Sequence, residues 1–255
     1  MFMYRAINRY NDTSSVCVRK ISGRPRSVRT KKVVKAVREI IRRNPVRKQK
    51  ILFREMKIAP RTMTAPHEWR ITRQMWLAQP FNHSMIQFDP LMLVIVQHTV
   101  SAMCDRFVLC AAQILNLQNY FINVYEYDIP YNFLIGNDGR VYEGRGWKIE
   151  GAHTFGYNRC SVGIGFIGNY KIPNSARVTD AQLNRTRMIL DEGVRLGHLR
   201  PDYLIVGAKD LRDTASPGSN LYNAIRRWPN YDHRNRFHGL NCEQIHETFD
   251  NKSLV

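Results

Sequence analysis

Long apolar runs are scarce in this 255-residue chain. No stretch matches the roughly 18 apolar residues that span a bilayer, and the longest run, Leu91 to Val96, has only the length of a strand. The first residues, MFMYRAINRYND, lack the apolar core and small-residue cleavage site of a secretory signal. The chain as written is therefore expected to be intracellular. Internal repeats are missing too, which argues against solenoids and propellers. Acidic side chains are nearly absent from residues 1–61, where Asp12, Glu39 and Glu55 face 19 Lys and Arg. That segment carries most of the net charge of +18, so the remainder is close to neutral.

What is present divides the chain into three parts. Residues 1–61 read as a basic, partly disordered tail. Residues 62–232, rich enough in apolar and aromatic side chains for a core, read as one domain. Residues 233–255 read as a solvated C-terminal tail. Within the basic segment, Val33, Val34, Val37, Ile40 and Ile41 share one face of an expected helix over residues 31–43, whose other face is Lys and Arg. Such a helix suits an acidic partner, a membrane surface or nucleic acid, and a solvated tail equally explains it. The C-terminal His233, His238, Cys242 and His246 are metal-ligand types, but their spacing fits no site pattern.

In the domain, Leu91 to Thr99 reads as a central strand because it is continuously apolar. Cys104 to Asn119 has helical periodicity. Thr179-Asp180 caps a second helix that stops at Gly197. Tyr203 to Val206 is a short buried strand. A third helix follows Ser216-Pro217-Gly218, with Pro217 near its first turn and Leu221, Ile225 and Trp228 facing inward. This order predicts an α/β domain with a central mixed sheet flanked by about three helices.

The most informative stretch runs from Asp128 to Tyr170. Tyr131 to Gly136 and Arg140 to Glu143 are expected to form a hairpin about Asn137-Asp138-Gly139. The loop Gly144 to Asn158 carries Trp147, His153, Phe155 and Tyr157, too many aromatic rings for a linker, and reads as a binding loop. Ser161 to Gly168 reads as a buried strand whose glycines let another backbone or a ligand come close.

YNFLIGNDGRVYEGRGW, GAHTFGYN and SVGIGFIGNY resemble the core of the animal peptidoglycan recognition proteins, relatives of phage-type zinc N-acetylmuramoyl-L-alanine amidases. The resemblance covers about residues 69–230. It implies an amidase-like fold, a packed Trp76 and a disulfide between Cys104 and Cys110, which belongs to an oxidising compartment and so conflicts with the missing signal. In the catalytic relatives two His and one Cys hold zinc. The resemblance places Gln97, Ala208 and Ser216 at those three positions, so neither metal, cofactor nor amidase activity is expected. His98, one residue along the strand from Gln97, is expected on the opposite face as a core histidine.

The resemblance further places Tyr131, His153 and Asn158 in a muropeptide groove. Gln97 changes its floor, Phe121 stands where the family has a His, and Tyr125-Glu126 replaces a Gly-Trp pair. A carboxylate at Glu126 would repel an acidic stem peptide. The function implied is a non-catalytic recognition protein of innate immunity that binds bacterial cell-wall fragments or modulates their sensing. Its expected partners are peptidoglycan fragments and other recognition proteins or signalling adaptors. The alternative is an adaptor or decoy that has lost the ligand and works through protein contacts.

Overall fold

The computed structural model describes residues 69–82, 87–171 and 177–250. The basic segment, with its expected helix 31–43, lies outside them. Six strands form one sheet: β1 (Arg70–Ile71), β2 (Leu91–His98), β3 (Phe133–Ile135), β4 (Val141–Glu143), β5 (Ser161–Phe166) and β6 (Leu199–Gly207). Four α-helices accompany them: α1 (Phe107–Tyr125), α2 (Asp180–Arg195), α3 (Ser219–Ile225) and α4 (Cys242–Asp250). The strand order is β1-β4-β3-β5-β2-β6. Only the β3–β4 hairpin is antiparallel, so the sheet is mixed as expected.

β2 is buried along its whole length because β5 and β6 flank it in parallel and both faces are covered. Side chains alternate between those faces. Val94, Val96, Phe133, Ile164 and Phe166 pack against Ile189 and Leu190 of α2 and Leu221 and Ile225 of α3. The opposite face has two separate covers. Over β3 and β4, Leu134 and Tyr142 meet Ile114, Leu117 and Phe121 of α1, together with Trp76. Trp76 is buried as expected, and its indole N–H donates to the Glu143 carbonyl at 2.8 Å. Over β2, Leu93 and Ile95 meet Tyr157, Phe237, Cys242 and Ile245. Gln97, Gly163 and Gly165 share this face and its register.

α2 begins as its sequence dictates. Thr179 and Gln182 exchange reciprocal bonds in a capping box, and Gly197 follows the helix at φ +76°. α1 runs further than expected, to Tyr125, and ends on Glu126 in the left-handed region. By length and composition α1 could cross a membrane, yet Cys110, Ala111, Ile114, Leu117, Gln118 and Phe121 bury one face of it against the domain. The periodicity thus marks a core helix.

Pro217 lies near the first turn of α3 as expected, just before the cap Gly218, and follows a cis peptide. Two expectations, on the start of β6 and on the C-terminal segment, need correcting. β6 begins at Leu199, four residues earlier than the expected strand. From His233 to Asp250 the chain is not a solvated tail: Phe237, Cys242 and Ile245 are buried, α4 forms, and a disulfide joins Cys242 to Cys160. The Cys104–Cys110 disulfide is present as well.

Candidate functional site

The site is built where β5 has no side chains. A Cβ on Gly163 would lie 2.2 Å from the His153 ring, and one on Gly165 would lie 2.8 Å from the Tyr131 ring. Two rings therefore rest directly on the strand, one above each glycine. This is the close approach that the glycines announced, and the chain's own aromatic groups make it.

The loop that carries His153 is fastened from three directions. Asn132 donates to the carbonyls of Gly146 at 2.8 Å and Ile149 at 2.9 Å, while its own carbonyl accepts from Gly163 N–H. Arg145 donates to the carbonyls of Asp128, Ile129 and Glu150. Asn158 Oδ1 accepts from the backbone N–H groups of His153 and Thr154 at 2.9 and 2.8 Å. Asn132, Arg145 and Thr154 were missed from the sequence because an Asn, an Arg or a Thr in a loop carries no spacing signal.

Gln97 comes up from the sheet to meet this loop. Its amide nitrogen donates to the His153 carbonyl at 2.9 Å and to Thr154 Oγ1 at 3.0 Å. His153 Nδ1 lies 3.1 Å from the same hydroxyl. Burial first, and then the positive charge of Arg145, hold His153 down to about 3, with the nearby Ser161 carbonyl offsetting them only in part. The ring is therefore neutral at physiological pH. Gln97 Oε1 and His153 Nε2 are both buried without a hydrogen-bond partner, which is unusual for groups with this cost of desolvation.

Gln97, Ala208 and Ser216 do come together. Val96 pairs with Gly207, which places Ala208 beside the end of β2. Ser216 Oγ accepts from His98 N–H at 3.2 Å, and its carbonyl accepts from Lys209 N–H. An amide, a methyl and a hydroxyl do not make a zinc site, which takes thiolate, imidazole or carboxylate ligands. Among the described residues no group of three or more His, Cys, Asp or Glu is placed to hold a metal ion. His98 lies on the other face, as expected, with Nδ1 accepting from Tyr170 N–H at 3.1 Å. Burial and then Lys171 hold it to about 3.

The remaining candidates sit elsewhere. Phe121 is buried among Tyr120, Tyr125 and Tyr127 at the end of α1. Glu126 is exposed. Trp147 crosses to the opposite face, against Phe133 and Gly193. Tyr157 is a core residue that donates to the Phe237 carbonyl at 3.0 Å. Of the loop's rings only Phe155 is solvent-facing, 53% exposed.

A mixed sheet with these helices, and with loops converging on one end of its central strand, defines the amidase fold. Residues 87–219 match the N-acetylmuramoyl-L-alanine amidase family. A peptidoglycan recognition protein of Trichoplusia ni is 44% identical over 162 residues, covering 63% of this chain and 87% of that one. The ectodomain complex of recognition proteins LCa and LCx with tracheal cytotoxin aligns at a TM-score of 0.61 and 38% identity, over 65% of this chain and 99% of that one. Recognition protein LE, solved in complex with tracheal cytotoxin, a monomeric diaminopimelic acid-type peptidoglycan, aligns at 0.61 and 39%, over 64% and 95%. This chain belongs to the peptidoglycan recognition protein family within that amidase fold.

Proposed function

We propose that this protein is a non-catalytic peptidoglycan recognition protein of innate immunity, which binds muropeptide in the groove floored by Gln97, Tyr131 and His153. The observation that carries the reading is the group at the end of β2. The family resemblance puts Gln97, Ala208 and Ser216 at the amidases' zinc-ligand positions; in support, Ser216 reaches the end of β2 and Ala208 follows its neighbour β6, and these three side chains would offer no ligand set. Without the metal no water is made acidic enough to attack an amide at neutral pH. The Nε2 atom of a neutral His153 and the side-chain carbonyl of Gln97, both buried without a hydrogen-bond partner, supply donor and acceptor chemistry suited to the amides of a stem peptide. Relatives solved with tracheal cytotoxin make this ligand class the natural one to try.

A second reading has its own support. Tyr131 and His153 are almost fully buried, and Asn158 spends its carbonyl on the loop backbone. A groove so occupied suits an adaptor or decoy that acts through protein contacts.

Calorimetric titration of the full chain with diaminopimelate-type and lysine-type muropeptides decides between them. Heat with either ligand, lost on Tyr131→Ala or His153→Ala, supports recognition. No heat from folded protein supports the adaptor. Zinc-dependent release of stem peptide would overturn both.

A further inference from the structure

The hydrogen bonds around His153 fix where its proton sits. Gln97 donates to a backbone carbonyl, that of His153, so the atom placed there must be the amide nitrogen. Its second hydrogen goes to Thr154 Oγ1. That hydroxyl keeps one hydrogen as well as a second lone pair, and the acceptor within reach of that hydrogen is His153 Nδ1 at 3.1 Å, a contact that gives the hydrogen a use when Nδ1 is unprotonated. A ring that accepts at Nδ1 and is neutral carries its hydrogen at Nε2.

We infer that Gln97 is a positioning residue which, through the Thr154 hydroxyl, holds His153 in the Nε2–H tautomer, so that a fixed donor at His153 Nε2 and a fixed acceptor at Gln97 Oε1 lie buried beneath the proposed groove. Gln97 Oε1 is buried without a partner, and the buried Nε2 has none of good geometry, the Ser161 carbonyl being the acceptor beside the ring. A donor and an acceptor together are the complement of a secondary amide, whose carbonyl takes the first and whose N–H gives to the second. The amide as ligand rests on the function proposed above; the tautomer does not. The side chain at the former ligand position thus acquires a task of its own, the orientation of a neighbouring imidazole. Burial supports the assignment, since it keeps the ring neutral and so leaves one hydrogen to be placed.

The test is a long-range proton–nitrogen correlation spectrum of the full chain with ring-labelled histidine, at neutral pH. A pyridine-type shift at His153 Nδ1 and a pyrrole-type shift at Nε2 are expected. The reverse pattern, or an averaged pair, in the wild-type protein overturns the inference before any variant is made. In Gln97→Glu the new carboxylate accepts from the Thr154 hydroxyl, which must then accept from Nδ1–H, so the proton is expected to move from Nε2 to Nδ1. A folded Gln97→Glu protein that keeps the Nε2–H pattern also overturns it. Muropeptide added to the wild-type sample separates the two claims. No binding with an Nε2–H ring would sink the muropeptide reading and leave the tautomer assignment standing.

Discussion

The disulfide between Cys160 and Cys242 should contribute more stability than the one between Cys104 and Cys110, because it closes a far longer loop. The paired residues are 82 apart in the first and 6 apart in the second. Loop-closure entropy lost by the unfolded chain gives about 4.5 kcal/mol for the long loop and about 2.2 kcal/mol for the short one at 25 °C. Replacing both cysteines of a pair by serine avoids leaving a thiol to mispair. Cys160→Ser/Cys242→Ser should therefore lower the free energy of unfolding by about twice as much as Cys104→Ser/Cys110→Ser. At about 2–4 °C per kcal/mol for a folded unit of this size, the long-loop variant should melt roughly 9–18 °C lower. Denaturant titrations of the two double variants and the wild type, read as midpoints at constant slope, measure both. The long bridge also ties α4 to the turn after Asn158, and Cys242 Sγ lies 3.4 Å from the Gly156 carbonyl. Its loss should therefore loosen the loop that carries His153. If the short-loop variant proves equally or more destabilised, the entropic argument fails.

Other outcomes follow from the same structure. His98 and His153 are both held to about 3 in the folded protein, against 6.5 unfolded. The unfolded chain therefore takes up protons first as the pH falls. Stability should be complete above pH 6.5 and decline below it by up to about 1.4 kcal/mol per pH unit for each histidine. Urea midpoints from pH 7 to pH 5, above the range of most carboxylates, test this; a flat profile refutes it. Gly163→Ala and Gly165→Ala push a methyl into the His153 and Tyr131 rings, and each should cost about 1–3 kcal/mol, Gly163→Ala the more because its contact is shorter. Thermal melts that place either variant within experimental error of wild type would show that the rings can move aside. Thr179→Ala removes the capping box of α2 and should cost about 1 kcal/mol with the fold intact by circular dichroism.

How much of the fold was legible depends on where each element is buried. β2 could be read because cover on both faces leaves no polar position to interrupt Leu91 to Val96. β6 was read short because Arg200, Pro201 and Asp202 look like a loop. It is the last strand of the sheet; its outer edge is met at Ile205 by Asn230 and Asp232, while Pro201 and Asp202 are exposed, where a proline costs no ladder bond and charges meet solvent. The end of α1 was missed because Tyr120, Phe121 and Tyr125 gather with Tyr127 into an aromatic cluster that no helical spacing announces. The C-terminal segment was misread for a related reason. Its buried apolar residues, Phe237 and Ile245, are too sparse to show a period. Cys242 has a partner that only the topology brings near, since even the four cysteines among the described residues permit three pairings.

The site was legible as a set of residues but not as a set of contacts. Glycines at alternate positions of β5 announced that something comes close to one face, and Tyr131 and His153 were marked as groove residues. Nothing in the spacing showed that each ring rests on one of those glycines. The same blindness hid Thr154 and Asn132, whose importance lies wholly in partners 57 and 31 residues away, Gln97 and Gly163. Gln97 shows most clearly why. Read by position it is a lost ligand, a subtraction from an amidase. Read by its two hydrogen bonds it is the group on which the His153 loop closes. Removing it would cost more than restoring a simpler floor, because the His153 carbonyl and the Thr154 hydroxyl would be left buried without their donor. A histidine at this position would therefore have to replace both of those hydrogen bonds to leave the loop as it stands.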